Sequence, residues 1–178
     1  MKNFMLSGLA GIAIFGAAGA FASDGTITIS GQVVDTSCDI SINGGSGDTT
    51  VVLPSVSKTN LANAGDVAGS TSVSLSLTGC PATGSVRAYF EAQNVDQATG
   101  YLQNNAVDTP ATNVQVQVTD TSGAAIDLRN NSNNNFVAFT DDAGDGTADL
   151  NYAVQYVATG ASTAGQVETA LVYSLDYQ

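Results

Sequence analysis

The 178-residue chain has no histidine and no tryptophan, two cysteines, three prolines, and four basic residues against sixteen acidic ones. Without imidazole, general acid–base catalysis loses its commonest carrier, and one lysine beyond residue 22 leaves little nucleophilic or Schiff-base chemistry. Sixteen carboxylates formally allow a hydrolytic pair, but nothing in their spacing selects one. The chain is therefore read as a non-enzyme with no cofactor and no metal. Once residues 1–22 are set aside, three basic residues (Lys58, Arg87, Arg129) stand against sixteen acidic ones, a net of −13. Such a charge repels nucleic acid and anionic lipid alike, so neither is expected as a partner.

Residues 1–22 begin with Lys2, run apolar from Phe4 to Ala20, and end in Ala20-Phe21-Ala22 before Ser23. This is the layout of a secretory signal peptide, with cleavage after Ala22 or after Ala20. No later stretch approaches the ~18 apolar residues of a membrane span, and no bilayer insertion of the mature chain is expected. The remaining 156 residues suit one domain with its own core. In an exported chain, Cys38 and Cys80 are most simply a disulfide. Closing a loop of that length stabilises by roughly 4 kcal/mol in the chain-entropy picture.

Period-two alternation dominates and helical periodicity is nearly absent, which predicts an all-β fold. Strands are expected at 32–42, 72–79, 86–92, 113–119, 124–128, 148–158 and 167–177. Seven short strands between Gly, Asn, Asp and Ser turns fit a β-sandwich. Residues 54–70 read as a connection holding one short helical turn. The polar run N-N-S-N-N-N at 130–135 reads as an exposed loop, and its Asn130-Asn131-Ser132 triplet as a chance match to a glycosylation acceptor. The acids around Gly144 and Gly146 resemble a calcium loop, but Ala143 and Tyr152 fall where oxygen ligands belong, so a solvated turn is expected. Tyr152 and Tyr156 on one run, and Tyr173 and Tyr177 on the next, predict a hairpin across 160–165 with cross-strand aromatic packing and hydroxyls toward solvent. That reading is preferred to a carbohydrate-binding platform.

The two ends of the mature chain are alike. Residues 165–178, G-Q-V-E-T-A-L-V-Y-S-L-D-Y-Q, alternate to the last position, and 25–31, G-T-I-T-I-S-G, alternate without a hairpin partner of their own. A strand edge left unpaired is sticky, and two such strands at opposite ends mark a chain built to polymerise. The segment 25–38, V-S-L-S-L-T-G-C ending at Cys80, N-Y-A-V-Q-Y-V-A-T-G at 151–160, Gly165 and the penultimate Tyr177 together make this chain resemble a structural pilin of the chaperone-usher pili, similar to the major subunit of type 1 fimbriae.

The resemblance implies an incomplete immunoglobulin-like β-sandwich lacking its last strand, completed by donor-strand exchange. It divides the chain into a signal peptide (1–22), a donor-strand extension (23–30) and a pilin domain (31–178). A periplasmic chaperone fills the groove first; at the outer-membrane usher, the extension of the next subunit replaces it. Gly25, Ile27 and Ile29 share one face of the extension, and each isoleucine buried contributes roughly 1.5–3 kcal/mol. Cleavage after Ala20 would add Phe21 in phase with them. In the family the C-terminal strand lines the groove and is read by the chaperone, which assigns Gly165, Leu171, Tyr173, Leu175, Tyr177 and the carboxylate of Gln178. Alternation leaves open whether Leu171/Tyr173/Leu175/Tyr177 or Ala170/Val172/Ser174 faces the core; bulk favours the first. The expected function is a structural subunit of a surface fimbria, exported through the periplasm and polymerised head to tail with identical or related subunits, for adhesion or biofilm formation. The alternatives are a minor or adaptor pilin, and a self-contained secreted sandwich that binds a ligand or glycan.

Overall fold

The computed structural model describes residues 37–178. Eight strands form two sheets. They are β1 (Asp39–Ile42), β2 (Val67–Cys80), β3 (Ser85–Phe90), β4 (Val114–Thr119), β5 (Val137–Ala138), β6 (Thr140–Asp142), β7 (Asp145–Ala158) and β8 (Tyr173–Tyr177). The larger sheet runs β1-β2-β7-β4, with β6 also paired to β7, and the smaller runs β5-β3-β8. All these ladders are antiparallel. The all-β sandwich predicted from alternation is what forms. Among the described residues, no helix is long and apolar enough to cross a membrane.

Alternation explains the core. On β3, Val86, Ala88 and Phe90 are buried in turn, and they face Leu75, Leu77, Leu150 and Tyr152 from the larger sheet. β4 is buried on both faces, because the connection before it folds back over its outer side. There Gln115 donates to Asp96 Oδ2 (2.9 Å) and accepts from Thr99 Oγ1 (2.8 Å), as buried amides require. A second, smaller cluster gathers Leu61, Ala111, Val114 and Ala158. Leu61 ends a 3₁₀ turn, Lys58–Leu61, capped by Ser57, the helical turn expected within 54–70. Cys38 and Cys80 are joined with Cα atoms 4.5 Å apart, tying the start of β1 to the end of β2.

Several expectations are corrected. β2 begins at Val67, inside the connection expected at 54–70, and of the strand expected at 167–177 only Tyr173–Tyr177 forms. Residues 124–128 form isolated bridges, Thr119 to Ala125 and Asp127 to Ser132, and no strand. The tyrosine runs are not a hairpin: β7 and β8 lie in different sheets. Residues 159–172 instead cross the sandwich, where Ser162 donates to Leu61 O and Gln166 to Thr109 O. The Asn-rich run is not an exposed loop, since Asn131 and Asn134 are 3% and 5% exposed. Polar composition signals a loop only when no buried main chain needs its amides, and here β3 does. Tyr152 follows the same logic. Its ring packs edge-on against Phe90 at 5.0 Å, and its hydroxyl lies inside, donating to Asn134 Oδ1 at 3.1 Å.

Candidate functional site: an unpaired strand edge

Among the described residues, the last strand has a partner on one side only. β8 pairs with β3 in the register Val86 to Tyr177 through Phe90 to Tyr173. Ser85 and Gln178 exchange both main-chain bonds (2.8 and 2.9 Å), and Glu91 N donates to Val172 O (2.9 Å). These bonds fix the phase. In an antiparallel ladder a residue's N–H and C=O point the same way and alternate along the strand, so Val172, Ser174, Asp176 and Gln178 spend theirs on β3. Those of Tyr173, Leu175 and Tyr177 point to the opposite edge, which no described strand occupies.

The alternation continues upstream. Gln166 bonds Thr109 and Ala111, Glu168 bonds Asn105, and the carbonyl of Ala170 accepts from Asn94 Nδ2. The intervening main-chain groups of Val167, Thr169 and Leu171 find no hydrogen bond among the described residues. Thr169 stands in the same row, and its Oγ1 is buried without a hydrogen-bond partner among the described residues, a condition that native interiors rarely leave in place. Residues 51–56 also lack main-chain partners among the described residues; Ser55 and Val56 line a hollow with Gly165 and Val167, and Leu53 packs against the core.

The side chains of the open edge are apolar. Leu171, Tyr173, Leu175 and Tyr177 all pack against the main core and are only partly covered. Val172, on the other face, is 39% exposed. The bulkier face of the C-terminal run is thus the inward one. Two hollows flank it. One, of about 330 Å³, is lined by Ile40, Gly47, Asp48, Tyr173 and Leu175. The other, of about 240 Å³, lies at the upstream end among Val56, Leu61, Tyr156, Gly165 and Val167. Tyr173 donates to Gly47 O at 3.1 Å, and Tyr177 Oη accepts from Cys38 N at 3.2 Å. These bonds strap the strand to the neighbourhood of β1. Burial, with Asp48 nearby, pushes the Tyr173 hydroxyl above the usual tyrosine range, so it stays a neutral donor.

Gly165 sits where the crossing segment meets residues 109–111, and Pro110 bridges Gln166 in parallel. A Cβ at Gly165 would collide with the main chain of Thr109, Pro110 and Ala111. Glycine is required there by close approach of backbones. Gln178 closes the strand through Ser85, beside Gly84 and Phe139.

Of the residues singled out from sequence, Leu171, Tyr173, Leu175 and Tyr177 form one row, with Gly165 at its head and Gln178 at its foot. Cys38 and Cys80 brace β1 and β2 beside it. Gly25, Ile27 and Ile29 lie outside the described residues. The sequence reading missed Thr169, residues 51–56, and Ile40. Thr169 was visible as the one polar member of an otherwise apolar row, but its burial was not. The acidic turn is what its spacing predicted: Asp141 Oδ1 accepts from Gly144 N at 2.8 Å and serves its own turn.

Residues 53–178 match the family model of FimA, the type-1 fimbrial protein A. The chain is 42% identical over 165 residues to the major fimbrial subunit SMF-1 of Stenotrophomonas maltophilia, covering 89% of this chain and 95% of that one. It is 42% identical over 164 residues to the F17 fimbrial protein of Escherichia coli, covering 88% and 89%. Among solved structures, a chaperone-usher pilus subunit superposes with a TM-score of 0.59 at 24% identity, over 88% of this chain and 96% of the other. The P pilus rod subunit PapA gives 0.57 at 21%, over 79% and 99%. The sandwich is accordingly immunoglobulin-like, as in those pilin subunits.

Proposed function

The chain belongs to the type-1 fimbrial protein family, and from that premise we propose that it polymerises by donor-strand exchange, residues 23–30 of one copy pairing with the open edge of β8 in the next. One observation carries this reading. The edge bearing Leu171, Tyr173, Leu175 and Tyr177 combines unspent main-chain groups with partly covered apolar side chains, the two things that an added strand satisfies together. Ile27 and Ile29 supply the apolar face of that strand, and Gly25 the position where a side chain has least room.

Before assembly the same edge is held by a periplasmic chaperone strand, with basic chaperone residues on the Gln178 carboxylate, and an outer-membrane usher exchanges it for the next subunit. The fibre is exposed on the cell surface and serves attachment or biofilm formation. Its contribution is mechanical. The role is that of a major subunit: identity to SMF-1, a major subunit, is 42%, against 33% to the minor fimbrial subunit HifD of Haemophilus influenzae.

The test is thermal and guanidinium unfolding of residues 31–178, disulfide intact, with and without a synthetic peptide of residues 23–34. At a hundredfold excess over its Kd, a peptide that binds only the folded state adds about 2.7 kcal/mol. Stabilisation that disappears with Ile27→Asp/Ile29→Asp is the expected result. A domain that is already stable and indifferent to the peptide would instead be a self-contained binding sandwich.

A further inference from the structure

The three-stranded sheet has a second long edge, the outer side of β3, and it is closed by side chains. Residues 85, 87, 89 and 91 spend their main-chain groups on β8, so those of Val86, Ala88 and Phe90 point outward. Val86 meets β5, which is two residues long. Beyond β5 no strand continues. Instead the Asn131 amide binds both groups of Phe90, accepting from its N (2.8 Å) and donating to its O (2.9 Å). Asn134 Nδ2 donates to Ala88 O (2.6 Å), and Ala88 N donates to the Tyr152 hydroxyl (3.3 Å).

The cap is itself held in place. Tyr152 donates to Asn134 Oδ1, Asn134 Nδ2 also reaches Asn131 Oδ1 at 3.1 Å, and Arg87 Nη1 donates to Asn134 O at 3.1 Å. The Arg87 guanidinium lies 4.4 Å over the Phe136 ring. Asn131 has φ +57°, a region asparagine tolerates better than other non-glycine residues. Position 131 therefore asks for both a left-handed backbone and a donor–acceptor amide, and asparagine supplies both.

We propose that Asn131, Asn134 and Tyr152 act as an edge cap that denies β3 to incoming strands, leaving β8 as the one long open edge of this sheet among the described residues. The inference rests on the reading that β8 accepts a strand, and it adds why growth is linear. A sheet with one open edge pairs once and stops. A sheet with two open edges adds strands without limit, the route to side-by-side aggregation.

The test uses the full mature chain carrying Ile27→Asp/Ile29→Asp, which removes the proposed donor, with and without Asn131→Gly, a change that keeps the left-handed backbone and deletes the amide. Amide hydrogen exchange and light scattering are read together. With Asn131→Gly, exchange at Phe90 N–H should rise on the order of 100-fold while Tyr89, paired to β8, changes less than about threefold. Association should exceed that of the parent chain. Unchanged protection at Phe90, or an exposed Phe90 with unchanged association, overturns the proposal. If Asn131→Gly does not fold, Tyr152→Phe takes its place, since it removes only the hydroxyl that accepts from Ala88 N and donates to Asn134 Oδ1. Faster exchange at Ala88 with larger assemblies supports the cap, and faster exchange without them overturns it. Fibres formed by the donor-less parent would count against the donor-strand reading alone, because the cap is judged by the difference between variant and parent.

Discussion

β7 and β8 are written in nearly the same alphabet, alternating apolar and polar residues with two tyrosines apiece, yet they have opposite situations. β7 is fourteen residues long and paired on both sides, to β2 along most of one edge and to β4 and β6 on the other. β8 is five residues long and, among the described residues, paired on one side only. On β7 the inward Leu150 and Tyr152 are sealed, at 1% and 9% exposure. The inward side chains of β8 are only partly covered. A strand's role is thus set by how many of its edges are taken, and its own pattern does not reveal that number. β7 is scaffold, and β8 keeps one edge unpaired among the described residues.

The sharpest way to break the comparison is to cut the same side chain from each strand. Leu150→Ala opens a cavity between the sheets and should cost about 2–5 kcal/mol of folding stability in the free subunit. Leu175→Ala, on a side chain already partly exposed, should cost the free subunit on the order of 1 kcal/mol or less while weakening capture of the donor peptide. Guanidinium unfolding with and without the peptide reads both. Equal losses in the free subunit would mean that β8 is as much a part of the core as β7.

A smaller effect comes from the ion pair that, among the described residues, holds β8 to its neighbour. Arg87 reaches Asp176 through Nε (2.9 Å) and Nη2 (2.8 Å), with the two side chains 22% and 37% exposed. Partial exposure screens the pair, so Asp176→Asn should cost at most about 1 kcal/mol. Arg87→Ala should cost more, because it also releases Asn134 O and the Phe136 ring. If the two variants proved equal, the cation would matter to β8 alone and not to the segment on the other side of β3.

These contrasts also mark how far the sequence could be read. Period-two alternation placed β2, β3, β4 and β7 and put Leu171, Tyr173, Leu175 and Tyr177 on one face, because side-chain phase is a local property of an extended chain. Partners are not local. The hairpin expected between the tyrosine runs failed because residues 159–172 have a better use for their main chain, bonding Leu61, Thr109 and Asn104 on the way across the sandwich. The Asn-rich run misled for the same reason. Nothing near Asn131 in sequence announces that Phe90, 41 positions away, lacks a strand to bond. Of the site, the row and its glycine were visible. The unpartnered Thr169 hydroxyl and the bare segment 51–56 were not, since both are defined by what is missing beside them.

The smallest expected effect concerns acid, and it falls on the scaffold side of the comparison. Arg129 grips Asp127 through Nε (2.8 Å) and Nη2 (2.6 Å) and also donates to Gln97 O, bracing the loops that cover β4. The hydrogen bonds from Arg129 hold the Asp127 carboxyl below the ordinary aspartate value of 3.8. Asp96 is lowered chiefly by the Ala98 N–H and Asp120 chiefly by the Ser122 hydroxyl. A carboxylate with a lowered folded pKa contributes stability that is complete above the unfolded value and disappears as pH falls through the folded one. Unfolding free energy should therefore hold level above pH ~5 and decline below ~4, as these three groups take up protons. Asp127→Asn should lower stability at neutral pH slightly and flatten that decline, because one of the three titrations is gone. A decline of unchanged steepness in Asp127→Asn would assign the acid sensitivity to other carboxylates and leave the loop brace with no part in it.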